Sequence, residues 1–259
     1  MNEKIFLWNG QAPYSEFSPE QAQPSLTAYT SEGAFSAIIV LAGGGYAFKS
    51  PHEAYPVAEM IQRSGISAYV LDYRVRPCHM LAPLKDAQRA IRLLRKLGYK
   101  KVGILGFSAG GHLCCQAATH YDSGNPDDPD AIERFSSRPD GFFPCYAVSS
   151  FINYSHPWTV QNLLGEAYCD IKWLKYFSAE LNVTDDTPPA FIWHTVTDAT
   201  VPAEASLNLA KALSDHQVSY EMHLFPAGSH GLGLAPGIPA VSGWSDLFVD
   251  YLKREGWTA

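Results

Sequence analysis

The sequence predicts an α/β fold, a mostly parallel twisted sheet covered by helices on both faces. Strand-sized apolar runs alternate along the chain with segments of helical period, which is the pattern of successive βαβ units. One run passes directly into Gly106-Phe107-Ser108-Ala109-Gly110, a serine held between glycines where a strand turns into a helix. No Pro/Gly/Ser-rich linker divides the 259 residues, so they are expected to form a single domain, 1–259.

The elements follow in order. Strands are expected at 25–30 and at 37–42, where Ile38-Ile39-Val40 is continuously apolar, followed by a helix at 51–64 and a strand at 67–72. Leu84, Ala87, Ile91 and Leu94 share one face of the next helix, which Gly98 ends. A strand at 102–107 leads through the glycine-flanked serine into a small-residue helix over 111–118. The polar, proline-broken and acidic stretch 121–139 is expected to be a solvated loop; it lacks the glycine and terminal glutamate of a calcium loop. Strands at 141–148, 190–195 and 220–225 complete the sheet, with helices at 203–216, where Leu207, Ala210 and Leu213 face inward, and at 242–255. Between 149 and 189 lies an aromatic-rich helical excursion carrying Phe151, Tyr154, Trp158, Tyr168, Trp173, Tyr176 and Phe177. Two readings stay open for it: ordinary packing, or a wall of the substrate site.

Composition narrows the function. With 46% hydrophobic and 17% charged residues the chain fits a soluble enzyme, and its apolar runs are too short to span a membrane. A formal net charge of -7 offers no attraction to nucleic acid or to an anionic membrane. Five cysteines, Cys78, Cys114, Cys115, Cys145 and Cys169, lack metal-ligand spacing and are expected to be buried thiols, so no metal is called for. The early acidic residue and four-residue apolar stretch at the N-terminus do not make a secretory signal, and a cytoplasmic location is expected.

Ser108 is the candidate nucleophile, because the sharp turn that presents a serine at a strand end tolerates only small residues two positions either side. It needs a base and a group to orient the base. His230 lies in the glycine-rich loop Pro226-Ala227-Gly228-Ser229-His230-Gly231 after the last strand, where a side chain can reach over the sheet edge. His112 follows the serine too closely; His52, His79, His120, His156 and His216 suit surface or packing roles, and His194 and His223 structural ones. Asp198, just past the strand at 190–195, is the candidate orienting acid. Asp185 and Asp186 precede that strand at its wrong end, while Asp72 is expected to bond near Arg74 and Arg76. Leu41-Ala42-Gly43-Gly44-Gly45-Tyr46 follows a strand and can turn backbone N–H groups on an oxyanion. Gly44, Gly45 and Ala109 are the expected donors, with Tyr46 beside them in the oxyanion and substrate-binding set.

Taken together, the motifs Gly43-Gly44-Gly45-Tyr46, Asp72-Tyr73-Arg74, Gly106-Phe107-Ser108-Ala109-Gly110-Gly111-His112, Thr187-Pro188-Pro189-Ala190-Phe191, Asp198 with Val201-Pro202, and Gly228-Ser229-His230-Gly231 resemble the α/β-hydrolase superfamily over nearly the whole chain. The chain is similar in particular to small serine esterases related to acetyl xylan esterases and to hormone-sensitive-lipase-like esterases. Ala42 stands where the lipase-like relatives carry the histidine of their H-G-G-G loop, which moves the likeness toward the acetyl-esterase branch. The resemblance implies an α/β-hydrolase fold of about eight strands, a Ser108-Asp198-His230 triad, and a cofactor-free carboxylesterase acting on short-chain acyl esters, acetyl first. Its substrates would be small esters, among them xylan-derived or other acetylated carbohydrates. The alternatives are an amide or peptide hydrolase on the same triad, such as an S9-type peptidase or an arylformamidase, and a non-catalytic binding protein.

Overall fold

Ile38 and Val40 face one side of a central strand and Ile39 and Leu41 the other, and all four are fully buried. A strand covered on both faces loses polar alternation, and this is why the sequence there is an unbroken apolar run. The computed structural model describes residues 3–21 and 23–258. Its elements run β1 (Lys4–Phe6), β2 (Ser25–Tyr29), β3 (Ser36–Leu41), α1 (Tyr55–Arg63), β4 (Ser67–Asp72), α2 (Ala82–Lys96), β5 (Lys101–Phe107), α3 (Ala109–Thr119) and β6 (Gly141–Cys145). They continue α4 (Pro157–Leu164), α5 (Ile171–Tyr176), β7 (Ala190–Thr195), α6 (Glu204–Asp215), β8 (Tyr220–Phe225), α7 (Pro239–Ser242) and α8 (Trp244–Arg254).

Among the described residues one eight-stranded sheet has the order β1-β2-β4-β3-β5-β6-β7-β8. Only β2 runs against its neighbours, and every pairing from β4 to β8 is parallel. This is the mostly parallel arrangement expected of the α/β-hydrolase fold. One core cluster joins Ile39, Ile104, Phe142 and Ile192 to α2, α3 and α6; the other joins Val40, Phe107, Phe143 and Trp193 to α1 and α8. The chain order reverses between β3 and β5, and the carboxyl ends flanking that reversal are where open α/β sheets place their sites. No helix among the described residues is long and apolar enough to cross a membrane.

Several details depart from expectation. The edge strand β1 is three residues long and largely exposed, too short to show a period. The helix expected at 51–64 begins as a 3-10 turn, Pro51–Glu53, before α1, and that at 242–255 is replaced by α7 and α8, which meet at Gly243. The strand at 141–148 stops at Cys145, because Tyr146 turns to φ 36. Leu207 is exposed and Leu209 takes its place inward beside Ala210 and Leu213. The loop 121–139 has no regular element, yet three of its five acids are paired: Asp130 and Glu133 with Arg89 at 2.6 and 2.8 Å, and Asp122 with Arg92. Asp72 binds Lys49, while Arg74 pairs with buried Asp86 and Arg76 donates to Asn162 Oδ1. All five thiols are free, but Cys169 is exposed and Cys78 only partly covered.

Candidate active site

Ser108 sits between β5 and α3 with φ 52 and ψ -115, a backbone region that L residues avoid. The start of α3 packs so close to the end of β3 that a Cβ on Gly110 would lie 2.3 Å from the carbonyl oxygen of Leu41. Only glycine fits there, which explains the spacing of the sequence motif. The Ser108 amide is held by the Cys145 carbonyl at 3.0 Å, and its own carbonyl accepts from His112 N at 2.9 Å, fixing the serine at the head of the helix.

The structure brings Ser108, His230 and Asp198 together. Ser108 Oγ lies 2.7 Å from His230 Nε2, and His230 Nδ1 lies 2.6 Å from Asp198 Oδ2. Asp198 Oδ1 accepts from the amides of Thr200 and Val201 at 2.8 and 2.9 Å, so the carboxylate is gripped before it meets the imidazole. Burial acts to raise the Asp198 carboxyl, but bonds from His194, His230 and the Val201 amide outweigh it and hold the group well below the usual carboxylate range. His194 Nε2 donates to the Val201 carbonyl at 2.9 Å and also lies 3.3 Å from Asp198 Oδ2. That histidine, expected to be structural, supports the acid from behind. With Asp198 fixing the proton on His230 Nδ1, Nε2 is left to accept the hydroxyl proton of Ser108.

The glycine loop after β3 faces the same point. Gly44 and Gly45 take φ 132 and 59, which side chains disfavour. Their amides, and that of Ala109, have no hydrogen-bond partner among the described residues, whereas the Gly43 amide is held by Glu53. Three free donors thus remain close to Ser108. Tyr46 departs from expectation: its phenol is buried and bonds His112 Nδ1 at 2.7 Å, so the side chain braces α3 from inside the core rather than meeting a substrate. His112 in turn donates to the Phe177 carbonyl and stacks on Phe151.

A cleft of about 180 Å³ opens over Ser108. The excursion divides between the two readings left open for it: Phe151 and Phe177 pack in the core, while His156, Trp158 and Thr159 wall the cleft. Trp158 covers the glycine loop so closely that a Cβ on Gly45 would lie 2.2 Å from its ring. His52 and His156, which the sequence placed at the surface or in packing, also line the cleft. His52 Nε2 donates to the Gly231 carbonyl at 2.9 Å, and burial together with nearby His230 pushes His156 down while Asp198 opposes. Sequence reasoning missed Glu53 and Tyr146. Nothing marks either one, since both acquire their partners through long-range folding; the one local hint is a charged residue on the apolar side of the segment before α1.

The BD-FAE family matches residues 26–213. Endo-1,4-beta-xylanase B of Butyrivibrio fibrisolvens is 38% identical over 219 residues, covering 80% of this chain and 34% of that protein. An acetylxylan esterase of Xylanibacter ruminicola is 29% identical over 210 residues, covering 76% of this chain and 41% of that protein. The chain therefore spans well under half the length of these curated relatives. The crystal structure of an acetyl ester-xyloside bifunctional hydrolase from Caldicellulosiruptor lactoaceticus superposes with a TM-score of 0.95 at 41% identity, covering 100% of this chain and 98% of that one.

Proposed function

Because the chain belongs to the BD-FAE family, we propose that it is a serine carboxylesterase that removes short acyl groups, acetyl above all, from carbohydrate esters such as acetylated xylan-derived oligosaccharides. The observation that carries the reading is the unbroken line from Asp198 through His230 to Ser108, facing three unpaired amides. In this mechanism Ser108 Oγ attacks the ester carbonyl carbon as its proton passes to His230 Nε2. The carbonyl oxygen becomes an oxyanion and accepts hydrogen bonds from Ala109 and from Gly44 or Gly45; each such donor is worth about 3 to 4 kcal/mol of barrier. The C–O bond to the sugar breaks, and His230 returns its proton to the departing alkoxide. Water, deprotonated by the same imidazole, then releases the carboxylic acid and restores Ser108.

The chain is similar to an acetylxylan esterase and to an acetyl ester-xyloside bifunctional hydrolase, which supports acetyl esters and xylan-type substrates, and a cleft of about 180 Å³ suits a small acyl group. We place the protein in the cytoplasm, supported by five free thiols, since an oxidising compartment favours pairing. Acetate release from acetylated xylo-oligosaccharides, set beside hydrolysis of p-nitrophenyl acetate and dodecanoate, tests the proposal. Acetyl esters should turn over faster; a preference for dodecanoate would overturn the short-acyl assignment.

A further inference from the structure

The Ser108 cleft is lined by a carboxylate that the triad does not use. Glu53, on the 3-10 turn Pro51–Glu53 that precedes α1, is only 2% exposed, and both its oxygens accept hydrogen bonds. The Gly43 amide donates to Oε2 at 2.8 Å and the Tyr146 hydroxyl to Oε1 at 2.7 Å. Tyr146 Oη in turn accepts from the Gly233 amide at 2.9 Å. We propose that Glu53 is a positioning residue that fixes the oxyanion loop and the base loop to one another, through Gly43 on one side and through Tyr146 and Gly233 on the other. This role rests on the esterase reading of the site.

The argument begins with cost. Withdrawing a carboxylate from water is expensive unless donors meet it, and an apolar side chain filling the same space is often no less stable. One donor here, Gly43, lies on the oxyanion loop, and the other, Tyr146, follows β6 and is itself bonded to the base loop at Gly233, so Glu53 links the two loops whose separation sets the distance between the oxyanion amides and His230. Gly43 immediately precedes Gly44 and Gly45: Glu53 holds its N–H, and the Ser50 amide donates to its carbonyl at 3.0 Å, so the planar peptide that carries the Gly44 N–H is held as well. Approach to the loop requires a bare backbone: a Cβ on Gly43 would lie 2.6 Å from Glu53 Oε2 and 3.0 Å from Ser108 Cβ.

On the opposite side the Tyr146 ring stands edge-on to His230, with centroids 5.0 Å apart and planes at 67°. Burial and then the Glu53 charge push the Tyr146 phenol up, so it keeps the proton it donates. The same 3-10 turn carries His52, whose bond to the Gly231 carbonyl is a second tie to the base loop. Glu53 forms no hydrogen bond with Ser108, His230 or Asp198. Its effect passes through the loops, so it acts on the geometry of the transition state rather than on a proton in flight.

Glu53→Gln tests this with little change in volume. With its oxygen kept on the Gly43 N–H, its amide nitrogen faces Tyr146 Oη, so the phenol must turn its proton away and the charge-assisted bond of the strut is lost. In the full chain, with p-nitrophenyl acetate, kcat should fall about 30-fold or more while KM changes less than about threefold, because ground-state binding of the ester does not use the oxyanion donors. Affinity for methylboronic acid, which forms a tetrahedral adduct on Ser108, should fall in step with kcat. Tyr146→Phe should lower kcat about tenfold, and the double variant should lose little beyond Glu53→Gln alone, since both break one strut. Glu53→Gln with kcat and boronate affinity within threefold of the parent overturns the proposal, as does fully multiplicative loss in the double variant. Should Glu53→Gln not fold, Tyr146→Phe with unchanged kcat overturns it. Ser108→Ala, assayed alongside, separates the two levels: an active Ser108→Ala protein defeats the esterase reading whatever Glu53 does.

Discussion

A Cβ placed on Gly106 would lie 2.1 Å from the carbonyl oxygen of Gly110, four residues later. The strand leaving β5 and the first turn of α3 therefore touch backbone to backbone, with Ser108 at the apex in a strained conformation. The atom in the way belongs to the main chain, so no side chain can move aside to make room.

Gly106→Ala should accordingly cost about 3 kcal/mol or more of stability and disable the serine. Urea unfolding measures the first, and labelling of Ser108 by a fluorophosphonate the second. A variant that unfolds and labels like the parent would show that the turn relaxes more easily than its geometry indicates.

Asp198→Asn preserves the shape of the acid but removes its charge and permits an imidazole with its proton on the wrong nitrogen. The value of kcat should drop about 10⁴-fold with little change in KM. Because His194 and two backbone amides still grip residue 198, the melting temperature should move far less than the rate.

Trp158 lies directly over Gly45 and tilts against Phe48, with ring centroids 6.4 Å apart. Trp158→Ala would lengthen the cleft along the glycine loop. The ratio of kcat/KM for an octanoyl ester to that for an acetyl ester should rise about tenfold, a specificity change of the size that a reshaped apolar pocket gives. An unchanged ratio would place the acyl group on another wall.

Burial, opposed by its bond to the Phe177 carbonyl, pushes His112 down to about 3. Below the ordinary histidine value of about 6.5 the unfolded chain binds a proton that the folded chain refuses, so stability falls as pH drops from 6.5 toward 3. The loss from this one group is about 1.4 kcal/mol per pH unit at full slope. Unfolding of the parent and of His112→Gln at pH 6.5 and pH 5 checks it: the parent should lose about 1.5 kcal/mol more than the variant over that interval.

Much of the architecture was legible because it is local. Buried parallel strands announce themselves as apolar runs, and Gly106, Gly110 and the glycines at 43–45 mark places where backbones approach too closely for a Cβ. The proximity of Ser108, Asp198 and His230 was legible because each follows a strand that ends on the same edge of the sheet. Other features depend on contacts the sequence does not order. Glu53 meets Tyr146 across 93 positions, and His52 meets Gly231 across 179. Tyr46 follows the glycine loop in sequence, yet a positive φ of 58 accompanies its turn into the core toward His112. Leu207 and Leu209 are equally apolar, and only the packing of α6 on the sheet decides which is covered.

The most direct measurement is the steady-state hydrolysis of p-nitrophenyl acetate by the parent and by Ser108→Ala, at equal concentration and with both shown to be folded. The expected result is a parent that turns over and a variant whose kcat is lower by about 10⁴-fold or more. A Ser108→Ala protein that hydrolyses the ester at the parent rate would contradict the assignment of Ser108 as nucleophile and, with it, the esterase mechanism.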